Sequence, residues 1–475
     1  MLVSRQRFLL ILLSAVFLAG CTPPAPSITS TPSPVPVQGS AGIGDVYYPN
    51  LGNSGYDVQH YTITLNVDPP ANAVEGSTTI TAIPSEYLSS FNLDFHGLTV
   101  DSVTVNDSAA KFSRNEEELT IEPPAPLGVG QPFTTVVQYH GSPEMIMIQG
   151  GPFQMGWSHA ESGAINVWGE PDAASTWFPN NNHPRDKATF RFEITVAHPW
   201  MVAATGTLKE TKENGDTNTF VWEMDKPMAT YLASINIDQY DLVTQSGPNG
   251  MTIRNYFTVD LPSSQRIQFN ILPAAIDFFD DLFGPYPFEE YGVVIAHGDG
   301  FCQTTETALE TQSMSLHCPT PFMTSEWVIV HELAHQWFGD SVSLENWKDI
   351  WLKEGMATYA EWLWDAKGDP AAMQRVIKSQ KLSYFDVPSP VAEPDANNLY
   401  TGDSYTGGAF VFHALRMEVG DEAFFEILRA YTERYRDRHA GTDEFIALTE
   451  EVSGKDLQSF FDAWLFSDKL PKIPD

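Results

Sequence analysis

The clearest chemical signal in the sequence is a pair of histidines in the run His331-Glu332-Leu333-Ala334-His335. Residues four apart lie on the same face of an α-helix, so both imidazoles can reach one metal ion. Glu332 can act as a general base beside that ion. Apolar residues at helical spacing predict that the helix covers residues 325–338. On these residues alone, a buried helix with two hydrogen-bonded histidines is the alternative.

A catalytic zinc ion needs a third protein ligand and an open position. Glu354 follows His335 by 19 residues and lies in a second predicted helix, over 352–364. Two histidines, one glutamate and an open position are typical of a hydrolytic zinc site. We therefore predict one Zn²⁺ per chain, held by His331, His335 and Glu354. The alternative for Glu354 is a surface carboxylate on that helix.

The elements that must position these residues fall into two regions of different periodicity. Residues 41–245 are predicted to be all-β, because apolar and polar residues alternate in segments such as 61–67 and 190–196. Residues 246–475 contain a short strand-rich stretch and then mainly helical spacing, in the segments 269–283, 325–338, 352–364, 409–419, 422–435 and 457–465, with a helix start at Thr442. The sequence therefore predicts an α+β multidomain protein, in which an N-terminal β domain precedes a mainly α catalytic domain.

The first 40 residues predict a secretion signal and a membrane anchor. Two arginines precede an apolar run over 8–20, whose 13 residues are too few to span a bilayer as a helix. We interpret residues 1–20 as a signal peptide. Its end, Leu18-Ala19-Gly20-Cys21, resembles a bacterial lipobox, so we expect Cys21 to carry a lipid; an ordinary signal peptide is the alternative. Residues 21–40, rich in Pro, Ser and Thr, predict an extended linker.

Composition limits the function classes further. The chain has 26 Lys+Arg against 61 Asp+Glu, a formal charge of −35, which repels phosphate backbones and excludes nucleic-acid binding. Its three cysteines are too few for a disulfide scaffold. Together with the lipobox, these features predict an extracytoplasmic lipoprotein anchored to a membrane, and they imply no protein partner.

Longer segments around the metal motif resemble one known family. The run HELAHQWFG over 331–339, followed at this spacing by WLKEGMATY, is similar to the gluzincin zinc aminopeptidases, such as aminopeptidase N and leukotriene hydrolase. The resemblance extends over nearly all of 41–475 and includes Trp177-Phe178-Pro179. It implies a saddle-like N-terminal β domain, a thermolysin-like catalytic domain, and peptide substrates that lose their N-terminal residue. Larger family members carry a further C-terminal domain, so we expect a more open active site here.

The resemblance also implies roles for single residues. The family's amine-binding edge strand corresponds to 307–311, with threonines in place of its Gly and Asn, which assigns Glu310 to the substrate α-amine. A second amine contact, from the β domain, corresponds to Glu170. The catalytic tyrosine corresponds to Tyr405, although Gly407 stands where lysine is usual. Two carboxylates on the amine would hold a peptide N-terminus at a fixed distance from the zinc ion, so that one residue is released.

The mechanism expected from this set uses Glu332 as general base, and Tyr405 with zinc as stabilisers of the oxyanion. Asp349 or Asp340 is expected to orient a ligand imidazole. Two other functions fit the same residues. One is a zinc endopeptidase of the same class, which does not use the amine contacts; the other is a catalytically inactive peptide-binding lipoprotein.

Two features beside Glu310 add detail. Cys302 and Cys318 flank it by eight residues on either side, and in an oxidising compartment they can form a disulfide that holds the amine-binding strand. Two buried free thiols are the alternative. Glu306 directly precedes the amine-binding motif, where the family lines its first side-chain pocket, and would favour basic N-terminal residues.

Overall fold

The computed structural model describes residues 35–384 and 390–474. The predicted signal peptide, Cys21 and most of the predicted linker therefore lie outside the described residues. From Pro36 onward the chain packs as one compact unit, in which strands come first and helices later, as predicted.

The β-strands lie mainly in the first two thirds of the chain. They are β1 Val37–Gln38, β2 Tyr56–Asp68, β3 Ala73–Pro84, β4 Leu88–Asp94, β5 Thr99–Val105, β6 Ser108–Ala109, β7 Lys111–Asn115, β8 Glu118–Glu122, β9 Phe133–Gly141, β10 Met145–Met147, β11 Gln154–His159, β12 Ile165–Trp168, β13 Ala188–Ala197, β14 Met201–Ala204, β15 Thr207–Asn214, β16 Thr217–Met228, β17 Ile235–Asp238, β18 Asp241–Ser246, β19 Thr252–Phe257, β20 Glu290–Ile295, β21 Ala308–Thr311, β22 Met314–His317, β23 Val342–Leu344 and β24 Arg438–Ala440.

An eight-stranded sheet forms the centre of the N-terminal region, in the order β15-β16-β13-β2-β3-β9-β5-β6. β2 runs parallel to β13 and antiparallel to β3. Alternate residues of β2 are buried, with Tyr61, Ile63 and Leu65 each 0% exposed, as the sequence alternation predicts. Two smaller sheets, β1-β4-β8-β7 and β10-β11-β12-β17-β14, complete this region.

A mixed five-stranded sheet opens the catalytic region, in the order β18-β19-β20-β22-β21. β19, β20 and β22 are parallel neighbours, while β18 and β21 pair antiparallel at the two ends. β21 is therefore an edge strand, and it carries Glu310. A short parallel pair, β23-β24, lies among the helices.

The helices lie between the later strands of this sheet and after it in the chain. They are α1 Ser263–Arg266, α2 Leu272–Phe283, α3 Phe301–Thr304, α4 Glu326–Ala334, α5 Trp351–Ala366, α6 Pro370–Ser383, α7 Gly408–Val419, α8 Asp421–Arg434, α9 Thr442–Ser453 and α10 Gln458–Leu465. The sequence did not predict α6, which buries only Val376 and Ile377 and so has a weak apolar pattern. A π-helical turn over Asp403–Gly407 precedes α7. Within the described ranges, no helix has the length and apolar character needed to cross a bilayer.

Candidate active site

The three predicted zinc ligands meet between α4 and α5. Nε2 of His331 and Nε2 of His335 lie 3.3 Å and 3.5 Å from Oε2 of Glu354, and all three residues are buried. Donor atoms about 2.0–2.2 Å from an ion at tetrahedral angles lie about 3.3–3.6 Å apart. The spacing and the chemistry of this donor set therefore fit one zinc ion.

The second nitrogen of each imidazole has its own acceptor. Nδ1 of His331 lies 2.7 Å from Oε1 of Glu361, and Nδ1 of His335 lies 3.0 Å from the carbonyl oxygen of Phe338. A proton held at Nδ1 leaves the lone pair of Nε2 directed at the ion. Glu361 was not predicted from the sequence. It lies seven residues after Glu354, two turns along the same face of α5, and that spacing is the signal that could have identified it.

Neither Asp349 nor Asp340 orients an imidazole, so that prediction is wrong. Oδ1 of Asp349 accepts hydrogen bonds from the backbone N–H and the hydroxyl of Thr442, at 3.1 Å and 2.7 Å, and thereby holds the start of α9. Asp340 is buried after the end of α4, where Nζ of Lys187 donates to its backbone carbonyl at 2.7 Å. The Asp349 carboxylate therefore stabilises the start of a neighbouring helix, and neither carboxylate contacts a ligand imidazole.

A close helix crossing brings the predicted catalytic tyrosine to the metal motif. Gly355 of α5 meets Gly408 of α7, and a Cβ on Gly355 would lie 2.7 Å from Cα of Gly408. A larger residue at either position would push the helices apart. The π-helical turn before α7 then places the ring of Tyr405 against His331, with ring centroids 5.9 Å apart and planes at 17°.

Glu332 and Tyr405 both line the cleft above the ligands. Burial raises the pKa of Glu332 to about 8, against the lowering effect of the His331 charge. Burial also raises the pKa of the Tyr405 hydroxyl well above its ordinary value. The hydroxyl therefore keeps its proton at neutral pH and can donate a hydrogen bond to an oxyanion.

Two further carboxylates reach the cleft from separate regions of the chain. Glu310 lies in the edge strand β21 and Glu170 follows β12 of the N-terminal region; they are 2% and 3% exposed and both line the cleft. Gly169 permits this approach, because a Cβ there would lie 2.2 Å from the carbonyl oxygen of Tyr231. The structure therefore brings both predicted amine contacts to the zinc-ligand set.

A buried lysine joins these carboxylates to a zinc ligand. Nζ of Lys353 donates hydrogen bonds to Oε1 of Glu310 at 2.7 Å and to Oε1 of Glu354 at 2.6 Å, and it forms an ion pair with Oε1 of Glu170 at 2.6 Å. Burial lowers the pKa of Lys353, but the charges of the three carboxylates outweigh burial and raise the pKa well above its ordinary value. A role for Lys353 was not predicted from the sequence, because its contacts with Glu170 and Glu310 depend on how distant segments fold.

The segment before β21 is tied to the sheet. Cys302 and Cys318 form a disulfide with their Cα atoms 5.5 Å apart, which joins α3 to the residue after β22. Glu306 lies between them, exposed at the rim of the cleft. Its Oε1 accepts a hydrogen bond from the hydroxyl of Thr320 at 2.5 Å.

The cleft that contains these groups has a volume of about 400 Å³. Ionisable groups line part of it, and apolar side chains line the rest: Ile148, Phe153, Met155, Leu309, Phe322, Met323, Trp327 and Val328. A second cavity, of about 490 Å³, lies between α2, α5, α6, α7 and α8, and none of the candidate site residues line it. The chemistry therefore identifies the smaller cleft as the site.

A zinc-binding set of two imidazoles and one carboxylate, with a buried glutamate and a tyrosine hydroxyl in the same cleft, defines a zinc-dependent hydrolase. Family comparisons agree with this class. Residues 57–232 match the Peptidase M1 N-terminal domain, and residues 267–464 match the Peptidase family M1 domain. The chain belongs to peptidase family M1.

Curated relatives carry aminopeptidase names. Glutamyl aminopeptidase from Sus scrofa is 26% identical over 319 residues, which cover 62% of this chain and 34% of the relative. Aminopeptidase N from Streptomyces lividans is 28% identical over 324 residues, which cover 62% of this chain and 37% of the relative. The chain thus spans about a third of the length of the curated relatives it matches.

Solved structures match over nearly the whole described fold. The M1 zinc metallopeptidase from Deinococcus radiodurans is 30% identical, with a TM-score of 0.84, and the match covers 91% of this chain and 99% of that one. A mutant of that enzyme bound to a Tyr-Ser-Ala substrate matches with the same values. The prediction of a β-rich N-terminal domain followed by a helical zinc peptidase domain is therefore confirmed.

Proposed function

We propose that this chain is a zinc-dependent aminopeptidase that releases the N-terminal residue of peptides. The observation that carries the proposal is the convergence of Glu310 and Glu170 on the cleft that contains the zinc ligands. A pair of carboxylates binds a primary ammonium strongly and disfavours a blocked N-terminus. The aminopeptidase names of the curated relatives and the Tyr-Ser-Ala complex of the structural neighbour support this substrate class.

His331, His335 and Glu354 would hold one zinc ion per chain, which when bound supplies the Lewis acidity that activates water and polarises the scissile carbonyl. Glu332 follows the first ligand on α4 and is 6% exposed. It accepts a proton from the attacking water and delivers a proton to the leaving amine.

Tyr405 and the two amine contacts act on different parts of the substrate. The protonated hydroxyl of Tyr405 donates a hydrogen bond to the oxyanion that forms at the scissile carbonyl. Glu310 and Glu170 hold the α-ammonium, and the edge strand β21 offers its unpaired backbone groups to an extended peptide. The amine contacts and the zinc ligands lie at a fixed distance from each other. The peptide is therefore cut after its first residue.

Coumarylamide substrates with free and with N-acetylated amines test the proposal. The zinc-loaded protein should cleave the free-amine substrates with at least a hundredfold higher kcat/KM, a chelator should abolish turnover, and added Zn²⁺ should restore it. Glu332→Gln should keep its zinc and lose turnover by about 10³-fold. Equal cleavage of blocked and free substrates would instead identify an endopeptidase. Folded protein without bound metal or turnover would identify an inactive peptide-binding protein.

Glu306 is proposed to set a preference for basic N-terminal residues. It lies at the rim of the same cleft as Glu310, where its charge would attract a guanidinium or ammonium. Arginyl substrates should be preferred over alanyl ones, and Glu306→Gln should reduce that preference. Equal kcat/KM for the two substrates in the unmodified protein would contradict this role.

The lipid anchor is proposed from the sequence around Cys21, which resembles a lipobox. The mature chain would then be tethered to a membrane outside the cytoplasm, with the peptidase domain facing peptides there. In a bacterial host, the full chain should incorporate labelled fatty acid and partition into detergent. Cys21→Ser should lose both properties, and unchanged partitioning would reject the anchor.

A further inference from the structure

Lys353 is fully enclosed within the candidate active site. Its side chain is 0% exposed, and its Cδ lies 3.4 Å from the point that a Cβ on Gly339 would occupy. Burial of an ammonium is costly unless carboxylates compensate it. The carboxylates that contact Lys353 therefore indicate the role of its buried ammonium.

The three carboxylates around Lys353 are one zinc ligand and the two amine contacts. Nζ contacts the Oε1 atoms of Glu170, Glu310 and Glu354 at 2.6, 2.7 and 2.6 Å. Glu354 presents its other oxygen, Oε2, to the two histidine nitrogens. The second oxygens of Glu170 and Glu310 are likewise not used by Lys353. A single ammonium therefore orients one oxygen of each carboxylate and leaves the other for a ligand.

The charges around Lys353 favour a bound peptide ammonium. When all three are ionised, Glu170, Glu310 and Glu354 carry −3 against the +1 of Lys353, which leaves −2 to be shared by a zinc ion on Glu354 and the α-ammonium of one peptide. Without Lys353, two uncompensated carboxylates would face the same small volume, and like charges that close repel strongly. One oxygen from each of Glu170, Glu310 and Glu354 lies within 4.8 Å of the others, a spacing that can also hold a metal ion.

We propose that Lys353 is a positioning residue, whose ammonium fixes the amine contacts relative to the zinc ligand and excludes a second cation from between them. This inference rests on the proposed aminopeptidase function. Lys353 does not touch the substrate. It sets the distance and the charge that make the site select a free amine next to the scissile bond.

Lys353→Met tests the inference, because methionine keeps much of the side-chain length and removes the charge. The measured quantity is the ratio of kcat/KM for free-amine and N-acetylated substrates of the zinc-loaded protein. This ratio should fall at least tenfold. Mass spectrometry of peptide digests should also show released dipeptides, because the N-terminus is no longer held in one place. In equilibrium dialysis, the variant should bind about two Zn²⁺ per chain, against about one for the unmodified protein.

Lys187→Met is the matched control. Lys187 is a half-buried lysine. Its Nζ donates to backbone carbonyls rather than to carboxylates, those of Asp340 and Ser341 at 2.7 and 2.8 Å. This variant should lower the melting temperature and leave the substrate ratio and the zinc content unchanged. Lys353→Arg keeps the positive charge, although the planar guanidinium fits three convergent carboxylates less well than an ammonium. Its ratio of kcat/KM for free-amine and N-acetylated substrates should stay within about fivefold of that of the unmodified protein.

The inference is overturned if Lys353→Met remains folded and keeps the substrate ratio within twofold of the unmodified protein. If Lys353→Met does not fold, Lys353→Arg decides: a ratio close to that of the unmodified protein supports the requirement for charge, and a ratio near one rejects it. A failure of the proposed function looks different, since the unmodified protein would then not discriminate between free and acetylated substrates.

Discussion

Replacement of Glu310 by glutamine removes one charge from the pair of carboxylates proposed to bind the substrate amine, and it nearly preserves the size of the side chain. Glu310 is buried in the edge strand β21 and keeps one oxygen on Lys353 at 2.7 Å. The amide oxygen of glutamine can still accept a hydrogen bond from the ammonium of Lys353 or from the α-ammonium of the substrate. The substitution therefore probes the charge rather than the packing.

The expected magnitude follows from the burial of the pair. Opposite unit charges about 3 Å apart at an effective dielectric constant of about 20 attract by about 5 kcal/mol. Glu170 remains and the amide keeps a hydrogen bond, so we expect about half of this, about 2–3 kcal/mol, to be lost. That loss corresponds to a decrease of about 30- to 160-fold in kcat/KM for a free-amine substrate.

The assay compares kcat/KM for leucyl and N-acetyl-leucyl coumarylamides, with zinc content measured on the same samples. Glu310→Gln should lose activity on the free-amine substrate and change little on the acetylated one. Glu289→Gln, an exposed glutamate just before β20, is the control and should behave like the unmodified protein. An unchanged kcat/KM for the free amine in a zinc-loaded variant would refute the role of Glu310. An equal loss on both substrates would show that the substitution damaged the site as a whole.

Three further results are expected. Tyr405→Phe should lower kcat by about 10²- to 10³-fold with zinc content unchanged, because one oxyanion donor is lost; unaltered kcat would reject that role. Cys302→Ser with Cys318→Ser should lower the free energy of unfolding by about 3 kcal/mol, the loop-closure entropy for the sequence separation of 16, and reduction of the unmodified protein should reproduce the loss. Burial lowers the pKa of His317 to about 4 from an unfolded value of 6.5, so the folded state binds fewer protons between these values. Stability should therefore fall as pH drops from about 6.5 to 4, by about 3 kcal/mol at most, and His317→Gln should flatten that part of the unfolding profile.

Much of the site was predictable because it depends on local spacing. His331 and His335 are four apart on one helix, and the apolar pattern that places them on its buried face lies within the same segment. The length of that helix was not predicted, because the sequence pattern continues to Phe338 while the backbone leaves the α-helix after Ala334. There the backbone N–H groups of Gln336 and Trp337 donate to the carbonyl oxygens three residues back instead of four.

The error over Asp349 and Asp340 has a related cause. Both acids lie near helix ends in the sequence, a position equally suited to a cap and to an imidazole partner. Only the packing of α9 against the segment before α5 gives Asp349 its partner, Thr442. Glu361 orients the imidazole of His331 instead, because α5 places its carboxylate beside Nδ1 of that ring.

The sequence by itself determined the metal chemistry and the order of β and α regions. A helical period and a 19-residue spacing are enough to specify two imidazoles, a carboxylate and a neighbouring base. The tertiary structure decided what surrounds the metal. Glu170, Glu310 and Lys353 come from a loop after β12, an edge strand and a helix, and they meet only because the two regions pack together. Contacts between such distant segments leave no periodic signal in the chain, whereas contacts within one helix do.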